Sequence, residues 1–125
     1  MPASHDPAGP VTRLELDPQS LARSCHESMI LAALVDEPRH GYQLALEIEE
    51  RSGGTFRFNH GTLYPILHKL EANSFIEGTW TASTGKRRRR RYRLTAAGRE
   101  HLSALRGAWE TFVAALFEVI GRNQP

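Results

Sequence analysis

The stretch Lys86-Arg87-Arg88-Arg89-Arg90-Arg91-Tyr92-Arg93 carries the most distinctive chemistry in the chain, because it holds seven of the sixteen Lys and Arg residues. Without those seven, nine basic residues face fourteen acidic ones and the formal net charge falls from +2 to −5. An otherwise mildly acidic chain has gathered its positive potential in one place, which suits a polyanion such as nucleic acid. An isolated run of this kind is more often a solvated patch or a nuclear localisation signal. Here it ends in Tyr92, Leu94 and the helix-start residue Thr95, which makes it part of a folded strand. Alternation puts Tyr92 and Leu94 on the inward face, toward Ile76 and Trp80 of a partner strand, and Arg91 and Arg93 on the other. Lys86, Arg87, Arg88, Arg89 and Arg90 lie nearer the loop, free to reach phosphates or a narrow minor groove.

Other chemistry lacks its parts. The six histidines are scattered, with no pair at helical ligand spacing and no Cys/His cluster, so neither a metal nor a cofactor is expected. There is no phosphate-cradling glycine loop, activated-serine motif or paired-carboxylate site, and an enzyme is not expected. Cys25 is the single cysteine, which excludes an internal disulfide framework and reads as a small helix-packing residue. No apolar run approaches a membrane span, and residues 1–16 lack the apolar core of a signal peptide, so a soluble, cytoplasmic protein is expected.

The elements that must position the basic strand can be read in order. Residues 1–16, rich in proline, read as a disordered arm. Asp17-Pro18 opens helix one, and Leu21, Cys25, Met29, Ala32 and Leu34 to Val35 recur at helical spacing until Glu37-Pro38 stops the run. His40 to Ser52 forms a second helix with Leu44 and Ile48 inward and Gly53-Gly54 as its stop. A third helix follows Thr55 to Phe58, with either Thr62 or Asn59 as its cap, and Asn59 would leave Pro65 inside the helix. Residues 75–81 and 87–94 read as two strands of a hairpin joined through Ala82 to Lys86. Thr95 caps a last helix that runs to about Ile120 and ends at Gly121.

Helices, a two-stranded hairpin and a further helix describe a mainly α winged helix-turn-helix with a long C-terminal helix. His40-Gly41-Tyr42-Gln43-Leu44, Gly61-Thr62-Leu63-Tyr64-Pro65-Ile66-Leu67-His68-Lys69-Leu70-Glu71 and Arg91-Tyr92-Arg93-Leu94-Thr95-Ala96-Ala97-Gly98-Arg99 resemble, in uninterrupted order from about Met29 to Leu105, the signature segments of the PadR family of transcriptional regulators. The resemblance implies a homodimer that represses a nearby promoter, often relieved by a small molecule. A single long C-terminal helix resembles the family's smaller subtype. The family pattern commonly has fewer consecutive basic residues followed by two aromatic ones, and Arg91 stands where the first aromatic is often found.

The residues of the third helix agree with this. Leu63, Ile66, Leu67 and Leu70 make a narrow apolar face, opposite Gly61, Pro65, His68 and Ala72, so a small, flat outward surface can approach DNA closely. Asn59, His60, Thr62, Tyr64, His68 and Lys69 are the candidate contacts from this helix to phosphates or base edges, with a half-buried packing role open for Tyr64. Residues 17–95 are thus read as the DNA-binding domain and 96–125 as a dimerisation helix. On that helix the apolar positions cover an arc of about 160°, against the roughly 100° stripe that one packing surface needs. Leu102, Leu105, Trp109, Phe112, Val113, Leu116 and Ile120, with Leu21 and Cys25 of helix one, are the candidate dimer contacts. Trp109 is either an interface filler or the wall of a site for a small hydrophobic aromatic ligand. A roughly palindromic double-stranded operator is expected. The alternative reading is a winged-helix protein-interaction or non-specific nucleic-acid-binding module.

Overall fold

The computed structural model describes residues 18–81 and 88–121, with side chains from Cys25 onward. The expected N-terminal arm, Lys86 and Arg87, the hairpin loop from Ala82 to Lys86 and the side chain of Leu21 lie outside the described residues. Four helices and three short strands follow in the order α1 (Pro18–Ala32), β1 (Arg39–His40), α2 (Gly41–Arg51), α3 (His60–Ala72), β2 (Ile76–Thr81), β3 (Arg89–Leu94) and α4 (Ala96–Ile120). The fold is a mainly α winged helix, as its residue pattern predicts.

Helix α1 starts on Pro18, whose fixed φ suits a first helical position. The helix ends at Ala32, earlier than the expected Glu37-Pro38, with the Ala33 N–H making the last α-helical bond, to the Met29 carbonyl at 3.0 Å. Leu34 and Val35 then donate to the carbonyls of Leu31 and Ala32, at 3.1 and 3.3 Å, which tightens the chain into a turn. The Arg39 guanidinium secures that exit, with Nε donating to the Ala33 carbonyl at 2.8 Å. Helix α2 is entered through His40, whose backbone N–H donates to Gln43 Oε1 at 2.8 Å. It stops at Gly53 and Gly54, whose φ angles of 60° and 85° lie in the region that glycine adopts without a Cβ penalty.

Asn59 is the cap of α3, its Oδ1 accepting from the Thr62 N–H at 2.9 Å. Pro65 therefore sits inside the helix and leaves the Gly61 carbonyl without its usual donor. Both residues are exposed, so water can serve that carbonyl. At the other end the Phe75 N–H reaches the Leu70 carbonyl and the Ser74 N–H the Glu71 carbonyl, at 3.0 and 2.9 Å. This is a Schellman closure, with Ser74 in the left-handed position at φ 65°.

The wing is three-stranded where two strands are expected, because Arg39–His40 adds to the free edge of the hairpin. The order is β1-β3-β2, all antiparallel, so the basic strand is the central one. The register pairs Ile76 with Leu94, Gly78 with Tyr92 and Trp80 with Arg90. Tyr92 and Leu94 are buried beside Ile76, Leu63, Leu67 and Leu70 in a core completed by Ile30, Leu31, Leu44 and Leu102. Trp80 is not inward: it is 55% exposed, because the core ends below Gly78.

Thr95 caps α4, its Oγ1 accepting from the Gly98 N–H at 2.9 Å. Gly98 has room only for a hydrogen, since the Phe75 carbonyl occupies the place of a Cβ. The helix is 25 residues long, about 37 Å at 1.5 Å per residue. Its first turns pack on α1, and its last turns leave Val113, Leu116, Val119 and Ile120 exposed. No helix among the described residues is long and apolar enough to cross a membrane.

Candidate nucleic-acid interface

A groove of about 740 Å³ runs between the start of α2, the outward side of α3 and the wing. His60, Tyr64, His68 and Glu71 line it from α3, Tyr42 from α2, and Trp80, Arg88, Arg89 and Arg90 from the wing. Of the candidates, His60, Tyr64 and His68 of α3 and Arg88, Arg89 and Arg90 of the wing thus meet at one concavity, while Asn59, Thr62 and Lys69 lie outside its lining. The buried face of α3, Leu63, Leu67 and Leu70, anchors the helix in the core and leaves Gly61, Pro65, His68 and Ala72 exposed, as the helical periodicity predicts.

Individual candidates have different commitments. Asn59 spends its side-chain oxygen on the α3 cap. His60 is exposed and meets Tyr64 edge-on, ring centroids 5.6 Å apart. Tyr64 is half-buried and packs on the start of α2: a Cβ at Gly41 would lie 2.7 Å from its hydroxyl. Gly41 is thereby the residue that lets the two helices close up. Thr62 and His68 are exposed. The Lys69 ammonium lies 3.6 Å from Glu27 of α1, whose other carboxylate oxygen is 3.5 Å from His101 of α4.

The three described arginines nearest the loop are not equivalent. Arg90, expected to be free, is half-buried and ion-paired with Glu71 at 2.5 Å. The same carboxylate oxygen of Glu71 accepts from the Gly78 N–H at 3.2 Å, so one side chain of α3 holds both wing strands. Gly78 is small for a reason, since a Cβ there would stand 2.8 Å from the Arg90 guanidinium. The Arg90 carbonyl accepts from His40 Nδ1 at 3.2 Å, which ties the wing to the start of α2 and makes Nδ1 the protonated nitrogen. Arg88 and Arg89 are exposed and have no carboxylate partner among the described residues. Their guanidinium groups lie over rings instead: Arg88 over Trp80 at 4.9 Å and Arg89 over Tyr42 at 5.1 Å. Further along β3, Arg93 pairs with Glu77. Burial pushes the Tyr92 phenol up from its ordinary pKa, the neighbouring Arg90 opposing that rise, so the ring stays neutral in the core.

Among the described residues no cluster of three or more His, Cys, Asp or Glu could hold a metal ion. Among the described residues the groove offers two guanidinium groups without a carboxylate partner, the exposed imidazoles of His60 and His68 and the Tyr64 hydroxyl around a concave strip, which is chemistry for an anionic chain. Sequence reasoning missed Tyr42, Glu71, Gly78 and Trp80 as parts of it. The alternation Ile76, Gly78, Trp80 was a usable signal, because it sets a hydrogen-sized side chain between two large ones on the strand face that meets α3.

A family model described as the transcriptional regulator PadR-like family matches residues 30–104, which span α3 and the whole wing. The chain belongs to the PadR-like family. A transcriptional regulator of Mycobacterium tuberculosis, Rv3488, is 38% identical over 92 residues, covering 74% of this chain and 79% of that protein. The fold matches a transcriptional regulator from Clostridium thermocellum with a TM-score of 0.73 at 23% identity, over 78% of this chain and 95% of that one. Bacillus subtilis PadR, solved in complex with operator DNA, matches with a TM-score of 0.57 at 25% identity, over 79% of this chain and 48% of that one. The PadR-like proteins are transcriptional regulators, not enzymes.

The second PadR feature, the long helix, forms a shallower groove of about 350 Å³ with α1, lined by Cys25, Met29, Ala32, Phe56, Leu102 and Trp109 among others. Leu102 is already buried within the protomer at 5% exposure, while Leu105, Trp109 and Phe112 are half-buried and Val113, Leu116 and Ile120 exposed. Trp109 stands edge-on to Phe112 at 5.6 Å, and its indole N–H is buried without an acceptor among the described residues. Burial pushes the Cys25 thiol up from its ordinary pKa, which keeps it protonated and unreactive.

Proposed function

We propose that this PadR-like regulator is a cytoplasmic, homodimeric DNA-binding repressor of a nearby promoter that is relieved by a small aromatic ligand. One observation carries the DNA-binding part: His60, Tyr64 and His68 of α3 line a single groove with Arg88 and Arg89, which have no carboxylate partner among the described residues. A helix with a small outward face fits a major groove, and the guanidinium groups then meet the phosphates bordering the adjacent minor groove. The Bacillus subtilis relative bound to operator DNA supports the same use of the fold. His60, Thr62, Tyr64, His68 and Lys69 are the proposed helix contacts, with Asn59 fixing the helix start. Arg88 and Arg89, joined by Lys86 and Arg87, are the proposed wing contacts.

The dimer is supported by exposed Val113, Leu116, Val119 and Ile120, which leave a helix end apolar on the side one protomer does not cover. Residues 17–95 serve as the DNA-binding unit and 96–125 as the dimerisation unit, built on α4, with Leu21, Cys25 and Leu105 joining the interface. A two-fold protein fits a roughly palindromic operator with half-sites about one helical turn apart. Trp109 supports the ligand part, since a buried indole N–H without an acceptor costs about 1–3 kcal/mol. A planar ligand bearing one acceptor would recover that cost.

The test is binding at physiological salt to the chain's own promoter and to random duplex DNA, with the mass of the complex measured by sedimentation. A dimer that prefers its promoter by three orders of magnitude or more, as specific regulators do, bears out the reading. A monomer, or equal binding to both duplexes, contradicts it.

A further inference from the structure

Arg88, Arg89 and Arg90 are chemically identical and consecutive, yet the structure gives them two different jobs. Arg90 has its N–H edge turned to Glu71 and is held by the carboxylate that also takes the Gly78 N–H. It is a strut between α3 and the wing. The guanidinium carbons of Arg88 and Arg89 lie over aromatic rings, Trp80 at 4.9 Å and Tyr42 at 5.1 Å. A guanidinium carries its five donors around its edge, so a ring against its face orients the group without consuming a donor. Both rings are themselves largely exposed, Trp80 at 55% and Tyr42 at 43%, and burial in the protein does not explain their position. They are fixed from behind. Trp80 is also flanked by the anchored Arg90 at 5.2 Å, and Tyr42 lies parallel to the His40 imidazole at 6.1 Å, while His40 bonds to the Arg90 carbonyl.

We propose that Trp80 and Tyr42 are positioning residues that hold Arg88 and Arg89 edge-on to the groove as two pre-oriented phosphate clamps, with Arg90 as the strut that holds the assembly. This rests on the DNA-binding reading above and assigns the phosphate contacts within it. The aligned donors match the bidentate geometry of a phosphate diester, and pre-orientation lowers the entropy cost of fixing two long side chains when DNA arrives. Both clamps belong to the wing, but the rings that hold them sit on different elements, Trp80 on β2 and Tyr42 on α2, within the lining of one groove.

The salt dependence of duplex DNA affinity, measured by fluorescence anisotropy with folding checked by thermal melting, separates these roles. Arg88→Ala and Arg89→Ala each flatten the plot of log affinity against log salt by about 0.9 for every phosphate that is no longer neutralised. Trp80→Leu and Tyr42→Leu keep every charge, so the slope stays while affinity falls about threefold to thirtyfold. Trp80→Phe and Tyr42→Phe restore most of that affinity, because a ring face remains. Adding Trp80→Leu to Arg88→Ala costs nothing more, since the ring acts through the arginine. Arg90→Ala lowers the melting temperature and leaves the slope unchanged. The proposal is overturned if the leucine variants bind as tightly as the parent, if the phenylalanine variants bind as weakly as the leucine ones, or if Arg90→Ala flattens the slope as Arg88→Ala does. A parent protein that binds no duplex DNA overturns the DNA-binding reading and this proposal together, whereas tight parental binding with indifferent rings overturns only this proposal.

Discussion

The groove between α3 and the wing is lined by three histidines, three arginines and four aromatic rings, whereas the groove between α1 and α4 is walled by Met29, Ala32, Leu102 and Trp109 with Arg106 and Glu110 as its only charged members. Both are open in a single protomer, but for opposite reasons. In the first, charge stays at the surface because hydration favours it there, and rings and one carboxylate keep the guanidinium groups in fixed directions. In the second, apolar surface stays in water for want of anything in the protomer to cover it, and each exposed 100 Å² of it forgoes about 2.5 kcal/mol of burial. A charged groove of this kind waits for a polyanion, and an apolar helix end for another apolar surface. Changes in the charged face should therefore leave self-association intact, whereas changes in the apolar face reach DNA affinity only through the loss of avidity or through a bound ligand.

The largest expected effect breaks the apolar side. Val113→Glu with Leu116→Glu places two charges on the exposed end of α4 and should convert the proposed dimer to single chains at micromolar concentration, read by sedimentation. Because both positions are exposed in the protomer, its melting temperature should barely move. Affinity for a two-half-site operator should fall by about a hundredfold or more as avidity disappears, with half-site binding retained. A variant that stays dimeric would place the interface elsewhere.

Next in size is the strut of the charged side. Glu71→Ala leaves the half-buried Arg90 guanidinium and the Gly78 N–H without their acceptor, and chemical denaturation should show a loss of about 1–3 kcal/mol. Glu71→Gln keeps an acceptor for Gly78 and should lose less. Equal loss in both variants would mean that the Gly78 bond contributes nothing. Neither variant should change the dimer.

A smaller and opposite effect is expected at Ser74, where φ is 65°. Glycine takes this conformation without the Cβ penalty, and Ser74→Gly should gain about 0.5–1 kcal/mol in denaturation, after its extra unfolded-state freedom is counted. A loss would show that the serine side chain contributes more than its backbone strain costs.

The smallest effect is a pH dependence of stability that arises on α1, outside both grooves. Burial lowers the His26 pKa from its ordinary 6.5, and the ring lies edge-on to Phe58 at 5.0 Å. The unfolded chain then binds the proton more readily, so this contribution to stability is complete above pH 6.5 and is lost as pH falls through the lowered value. Replacing His26 with Leu should flatten that part of the stability profile, and an unchanged profile would assign the acid sensitivity to other groups.

Much of this arrangement can be read in the residues themselves. Leu63, Leu67 and Leu70 announce the buried side of α3 by their spacing, Tyr92 and Leu94 announce that of β3 by alternation, and Thr95 announces the start of α4. These signals are local and repeat within one element. Strand β1 is only Arg39–His40, too short for any period to show, and it exists because the edge of β3 offers bonds. The Asn59 cap is hidden by the preference of proline for a first turn, which favours Thr62. Trp80 looked inward because alternation places it there, but alternation does not say where the core ends. The pairing of Arg90 with Glu71 joins residues 19 apart on separate elements. It depends on hairpin register, which the sequence of the loop did not determine.

The chain has two tryptophans, and they fall one in each groove, Trp80 beside the arginines and Trp109 between α1 and α4. Their indole N–H signals in a two-dimensional NMR spectrum therefore report the two faces separately during a titration with duplex DNA. The Trp80 signal should shift in step with binding and by more than the Trp109 signal, which reports only an indirect effect. A shift of Trp109 with Trp80 unmoved would contradict the placement of DNA in the groove between α3 and the wing.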